Sequence, residues 1–153
     1  MDCRLSLIRI VLSMFEYKRS HGFVIWGAFW VAISVLIGAA GKHVLAAEEQ
    51  LAGAELLNIS SKYGMIMGLS LMVLTAMRWM GFWTKRPPWP ERFLSIGLFL
   101  FSGGLCARAF VPESFISELL SPCIPFGGVL LSAAFVVVAI QTIHVLFVSG
   151  RLD

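Results

Sequence analysis

The residues best suited to chemistry in this sequence are three histidines, His21, His43 and His144, and three cysteines, Cys3, Cys106 and Cys123. A bis-histidine haem needs two imidazoles at one depth. If the apolar runs around them are helices, His43 closes the first run and His144 lies about twenty residues into the last. At 1.5 Å per residue that separates them by about 30 Å along the helix axes. They cannot share an iron. His21 and His144 do fall at one level, but two histidines without a carboxylate or thiolate make a poor metal site. The cysteines are odd in number and lack C-x-x-C spacing, which points to neither a disulfide framework nor a zinc knuckle. No nucleophile has a base and an orienting acid at usable spacing. The expectation is a protein that is not an enzyme: no catalytic residues, no metal and no cofactor.

The elements that must position these residues are set by composition. Of 153 residues 58% are hydrophobic and 14% charged, against about 45–50% and about 25% in soluble domains. Mean hydropathy is +0.84. A soluble domain this small has too much surface to hide that much apolar side chain. A helix crosses the hydrocarbon core in about 20 residues, and four runs qualify: Phe23–Gly41, Tyr63–Trp83, Phe93–Val111 and Ile124–Val148. The predicted fold is all-α, an integral membrane four-helix bundle over residues 21–153.

Residues 1–20 read differently. Asp2, Ser6, Arg9, Ser13, Glu16 and Ser20 draw one polar stripe at spacings of three and four, with leucine, isoleucine and phenylalanine filling the rest. This predicts an uncleaved N-terminal amphipathic helix lying in the interface. Docking on a partner's helix is the alternative. The stretch from His43 to Lys62 is rich in alanine, leucine and glutamate and predicts a helix across the opposite surface. Asn58, Ser60 or Ser61 would cap the second span there.

Four spans put both termini on one side with the second connection. That side carries Arg4, Arg9, Lys18, Arg19, Arg78, Lys85, Arg86, Arg92 and Arg151, while the other carries Lys42, Lys62 and Arg108. The positive-inside rule places the richer side, and both termini, in the cytoplasm or the mitochondrial matrix. The membrane is thus a bacterial plasma membrane or a mitochondrial inner membrane. In "TKRPPWPER" the cations meet lipid phosphate, Trp83 and Trp89 sit at headgroup level, and Pro87, Pro88 and Pro90 stiffen a short turn.

Small residues recur where helices must approach closely: Gly64 with Gly68, Gly103 with Ala107, and Gly128 with Ser132. The surrounding words form an ordered set. "GAAGKHVL" at the end of the first span resembles the pattern "GAFGAHGL", and "KYGMIMGLSLM" resembles "QYQMYHALALL". "FSGGLC" resembles "FSGSLY", and "PFGGVL" resembles "PIGGVL". From about Trp26 to Ile143 the chain therefore resembles the YgdD-like family of small four-span membrane proteins of unknown function, which includes transmembrane protein 256. Met67 stands where that pattern has histidine, Ile66 where it has tyrosine, and Lys42 where it has a small residue. The resemblance implies the fold and no activity, and the N-terminal helix lies outside it.

Arg78 and Arg108, each near a span end, are expected to snorkel to phosphate. Arg108 could instead pair with Glu113 or Glu118. Lys85, Arg86 and Arg92 are expected at lipid headgroups or partner subunits. Gln141 and His144, one helical turn apart, should face a polar partner near the headgroups, with His21 or a lipid as candidates. There is no midplane ionic pathway of the kind a transporter uses. The expected function is a non-catalytic accessory or assembly subunit of a larger inner-membrane complex, a respiratory one by preference. Its partners would be other membrane subunits and phospholipids, with no nucleic acid. The alternative is a stand-alone membrane protein binding a small molecule or lipid in a pocket lined by Met65, Met67 and Cys106.

Overall fold

The computed structural model describes residues 3–45, 51–83, 86–111, 115 and 121–149. It is all-helical, with four helical spans long and apolar enough to cross a bilayer: His21–His43, Leu51–Trp79, Trp89–Phe110 and Cys123–Phe147. The elements are α1 (Cys3–Ala40) running into a π-helical turn at Gly41–Leu45, α2 (Leu51–Trp79), and α3 (Trp89–Leu98). A second π-helical turn (Phe99–Gly103) follows, then α4 (Gly104–Phe110) and α5 (Cys123–Ser149). The chain is an integral membrane four-helix bundle, with α3 and α4 together forming the third span.

Two helices are longer than the sequence pattern suggests. Residues 3–20 are helical as expected, but the helix continues without a break into the first span. Only Gly22 weakens helix propensity at that junction, by about 1 kcal/mol, and no proline interrupts it. The segment 51–62 is likewise the start of α2 rather than a separate surface helix. Asn58, Ser60 and Ser61 are therefore in a helix interior and cannot cap the second span.

Packing proceeds in chain order. Helix α1 lies against α2, α2 against α3 and α4, and α3 against α5, while α1 and α5 touch at most marginally. The first and fourth spans are the peripheral ones, with 22% and 17% of their most apolar windows buried against 39% for the inner two. The core comprises Trp30, Leu71, Leu74, Trp83, Leu94, Leu98, Leu131 and Ala134. A smaller cluster of Ile37, Leu57 and Ala109 lies toward the opposite end.

Glycine decides how close the backbones come, because lipid supplies no hydrophobic drive between helices. A Cβ at Gly68 would stand 2.8 Å from Gly27 O, and one at Gly27 would stand 2.7 Å from Gly68 O. At Gly64 it would collide with Ser34 Oγ. Both α2 glycines expected to pack do so. The other two do not: a Cβ at Gly103 or Gly128 would meet only ordinary contacts, at 3.8 and 3.7 Å. The close approach belongs to their neighbours. Gly97 and Gly127 face each other's backbones, and Gly104 abuts Ile124. In a Gly-Gly doublet either member can face the partner helix, and a shift of one residue turns the face by about 100°.

Candidate functional site

The polar chemistry gathers at the end of the bundle that holds the 80–88 turn. Helix α2 stops there in a Schellman arrangement: Phe82 N–H donates to Met77 O (3.1 Å) and Gly81 N–H to Arg78 O (3.1 Å). Gly81 has φ 101°, the left-handed conformation this stop requires. Trp83 also has a positive φ, 40°, which is uncommon for a residue with a side chain. Its ring is 6% exposed within the core. Proline at the start of α3 costs no helical hydrogen bond, since the first N–H groups have no partner within the helix.

Arg78 holds this turn together. Its Nε–H donates to Glu91 Oε1 at 2.6 Å, and its Nη2–H to Oε2 at 3.0 Å. Its Nη1 donates to two turn carbonyls, Trp83 O and Arg86 O, each at 2.8 Å. Glu91 is 1% exposed and Arg78 14%. A side-on, bidentate arginine–carboxylate pair satisfies both groups geometrically. Glu91 also lies in the first turn of α3, where a negative charge suits the helix dipole. The strained Trp83 backbone is thereby fixed from its carbonyl as well as its ring.

A second set of contacts ties the turn to α5. Arg86 Nη2 lies 2.6 Å from His144 Nδ1. Gln141 Nε2–H reaches Pro87 O at 3.5 Å, and Gln141 Oε1 is buried with no protein partner. Arg92 places its guanidinium carbon 5.3 Å from the centroid of the Trp89 ring, a cation–π distance. His21 of α1 stacks obliquely on Trp79 at the end of α2, with centroids 5.0 Å apart.

The expected residues separate on this geometry. Gln141 and His144 do face one polar partner, the 86–87 turn of their own chain. His21 meets Trp79. Arg78 does not snorkel to phosphate, because Glu91 and two carbonyls lie within reach and take four of its N–H contacts. Arg86 and Arg92 are half-buried at the turn, and Arg108 is exposed near the opposite end of the third span. Lys85, Glu113 and Glu118 lie outside the described residues. Among the described residues no group of three or more histidine, cysteine or acidic side chains is placed to hold a metal ion.

Sequence reasoning missed Glu91, although its signal was present. It is an acid five residues into a proline-rich turn, opposite an arginine in the last turn of the preceding span. It also missed a layer of buried serines. Ser61 Oγ–H donates to Ser34 O (2.7 Å) and Ser60 Oγ–H to Ser102 O (2.8 Å), which joins α1, α2 and the π turn. Ser34 Oγ, Ser102 Oγ and Trp30 Nε1 in that layer have no partner among the protein atoms. A π-helical turn displaces its carbonyls from the regular ladder, and Ser102 O lies in one.

A family model described as "Protein of unknown function (DUF423)" matches residues 37–128, more than half of the chain. Arg78, Glu91 and the serines at 60, 61 and 102 fall inside the matched stretch. Most of α1, together with Gln141 and His144, falls outside it. No curated protein matches, and no solved structure matches.

Proposed function

The chain belongs to the family of proteins of unknown function DUF423, and since that description carries no activity we propose its role from its own geometry: a non-catalytic subunit of a larger membrane assembly, joined to it through α1. One observation carries this reading. Helix α1 has 38 residues, about 57 Å at 1.5 Å per residue. The hydrocarbon core is about 30 Å thick. The His21–Trp79 contact marks the level at which α2 ends, so residues 3–20 continue the helix past the end of its neighbour.

By sequence that extension carries Leu5, Leu7, Ile8, Ile10, Val11, Leu12, Met14 and Phe15. Burying a side chain of this kind is worth about 1.5–3 kcal/mol, so leaving eight of them in water is strongly unfavourable. A helix of a partner subunit, laid along the apolar side, supplies the cover. The Arg78-anchored turn supports the same role, since it ties the ends of α2 and α3 together beside the level at which α1 leaves the bundle.

Extraction in a gentle detergent, native electrophoresis and mass spectrometry test the proposal. Co-migration with a large complex is expected, and the proteins in that band identify the host, including whether it is respiratory. Deleting residues 3–20 should release an intact four-span protein from it. Migration of the full chain as a lone monomer or homodimer would refute the subunit reading and favour a stand-alone binding protein.

A further inference from the structure

Among the described residues, the turn that Arg78 anchors leaves N–H groups of Arg86 and His144 beyond their mutual contact with no acceptor, and we propose that Arg86 and His144 together form a binding site for a phosphate group, of the kind a phospholipid headgroup presents. The inference does not depend on the subunit reading, because it rests on one end of the bundle and not on α1.

Glu91 is the acid of the turn region, and both of its oxygens are taken by Arg78 inside the protein. It cannot also neutralise Arg86. The backbone of Arg86 is fixed in turn, because its carbonyl accepts from Arg78 Nη1 at 2.8 Å. Its side chain leaves the turn from a held position and reaches α5.

A guanidinium can only donate. At 2.6 Å from Arg86 Nη2, His144 Nδ1 takes the acceptor role in this contact, which leaves Nε2–H as the ring's donor. The contact turns His144 into a fixed donor beside the remaining N–H groups of Arg86. His144 is exposed and Arg86 half-buried. The pair is positively charged and rich in donors, and it stands at the end of a span whose length matches the bilayer. Exposed Trp89 with Arg92 over its ring, and exposed Trp79, mark the same level as the headgroup zone. A phosphate oxygen accepts two such hydrogen bonds at once, one of them charge-assisted. Basic positions between spans at this depth are where phospholipid headgroups bind.

The experiment uses the full chain purified in mild detergent, with native mass spectrometry reading retained lipid after exchange into nanodiscs of phosphatidylglycerol or of phosphatidylcholine. Retention of phospholipid is expected, and Arg86→Gln should lower it about tenfold, the loss expected for one charge-assisted hydrogen bond. His144→Phe should lower it in the same direction. Lys62→Gln, at an exposed cation on α2 far from the turn, serves as the control and should leave retention unchanged. Excess inorganic phosphate distinguishes the sources. Displacement of the lipid supports the site and assigns it to free phosphate; resistance assigns it to the phospholipid.

The fold is checked separately, since nitrogen NMR of His144 reads the tautomer without any ligand. A protonated Nε2 with a bare Nδ1 in the unmodified chain, lost in Arg86→Gln, is the expected pattern. Unchanged lipid retention in the Arg86→Gln/His144→Phe double variant would overturn the proposal. So would a His144 protonated on Nδ1.

Discussion

Removing Arg78 alone should cost more than removing both members of the Arg78–Glu91 pair. In Arg78→Met, Glu91 keeps a carboxylate that is 1% exposed and loses its counter-ion, and the carbonyls of Trp83 and Arg86 lose their donor. Breaking a buried ion pair by taking one partner away costs about 3–5 kcal/mol, so that range is expected for Arg78→Met. Glu91→Gln leaves the arginine in a milder position. The cation is 14% exposed and keeps both carbonyls, which places the loss nearer 2 kcal/mol, the scale of one hydrogen bond to a charged group. In the double variant no charge is stranded, and the remaining cost is that of the two unpaired carbonyls, about 1–3 kcal/mol. The coupling between the two sites should therefore be about 2–6 kcal/mol, well above the additivity error of about 0.5 kcal/mol. Equilibrium unfolding in mixed micelles, followed by tryptophan fluorescence, reads all three variants, with Trp83 itself reporting on the turn. Additive single effects, or an Arg78→Met loss below about 1 kcal/mol, would show that water or lipid already serves these groups and would refute the anchoring argument.

Gly68→Ala and Gly127→Ala should each cost about 1–3 kcal/mol, because the new methyl meets backbone that cannot swing aside. Gly103→Ala and Gly128→Ala should be neutral or gain up to about 1 kcal/mol from helix propensity, and the same micelle assay separates the two classes. Ser60→Ala and Ser61→Ala each remove an interhelical hydrogen bond and should lose about 0.6 kcal/mol. Ser34→Ala, which deletes a buried hydroxyl without a partner, should lose nothing measurable. Cysteine labelling tests orientation: a probe at Glu49 should be reached only from the side opposite the termini, and labelling from the cytoplasm or matrix would reverse the assignment.

The spans were legible in the sequence because their signal is additive. Twenty apolar residues in a row identify a helix in lipid whichever way each side chain points, and four such helices are present, the second starting at Leu51 rather than Tyr63. The packing face is not additive. It depends on a rotation of about 100° per residue, so Gly64 and Gly68, four apart and alone, could be read directly, whereas Gly103-Gly104 and Gly127-Gly128 could not. The π turn at Phe99–Gly103 adds a residue to the local winding and resets the register of the third span just there. That uncertainty was built into the residues themselves.

Arg78 failed for a related reason. Snorkelling assumes that the nearest acceptor for a span-end arginine is phosphate. Which acceptor is nearest depends on how the following turn folds back, and that turn folds back through Gly81, Trp83 and three prolines. Once Gly81 reverses the chain, the start of α3 returns Glu91 to the end of α2, and a carboxylate held inside the protein outcompetes a headgroup outside it. The same reversal brings Pro87 to Gln141 and Arg86 to His144. A charge in this chain therefore cannot be assigned to lipid by its depth alone. Glu91 is not left to neutralise Arg86, because Arg78, one helical stop earlier, has already taken both of its oxygens.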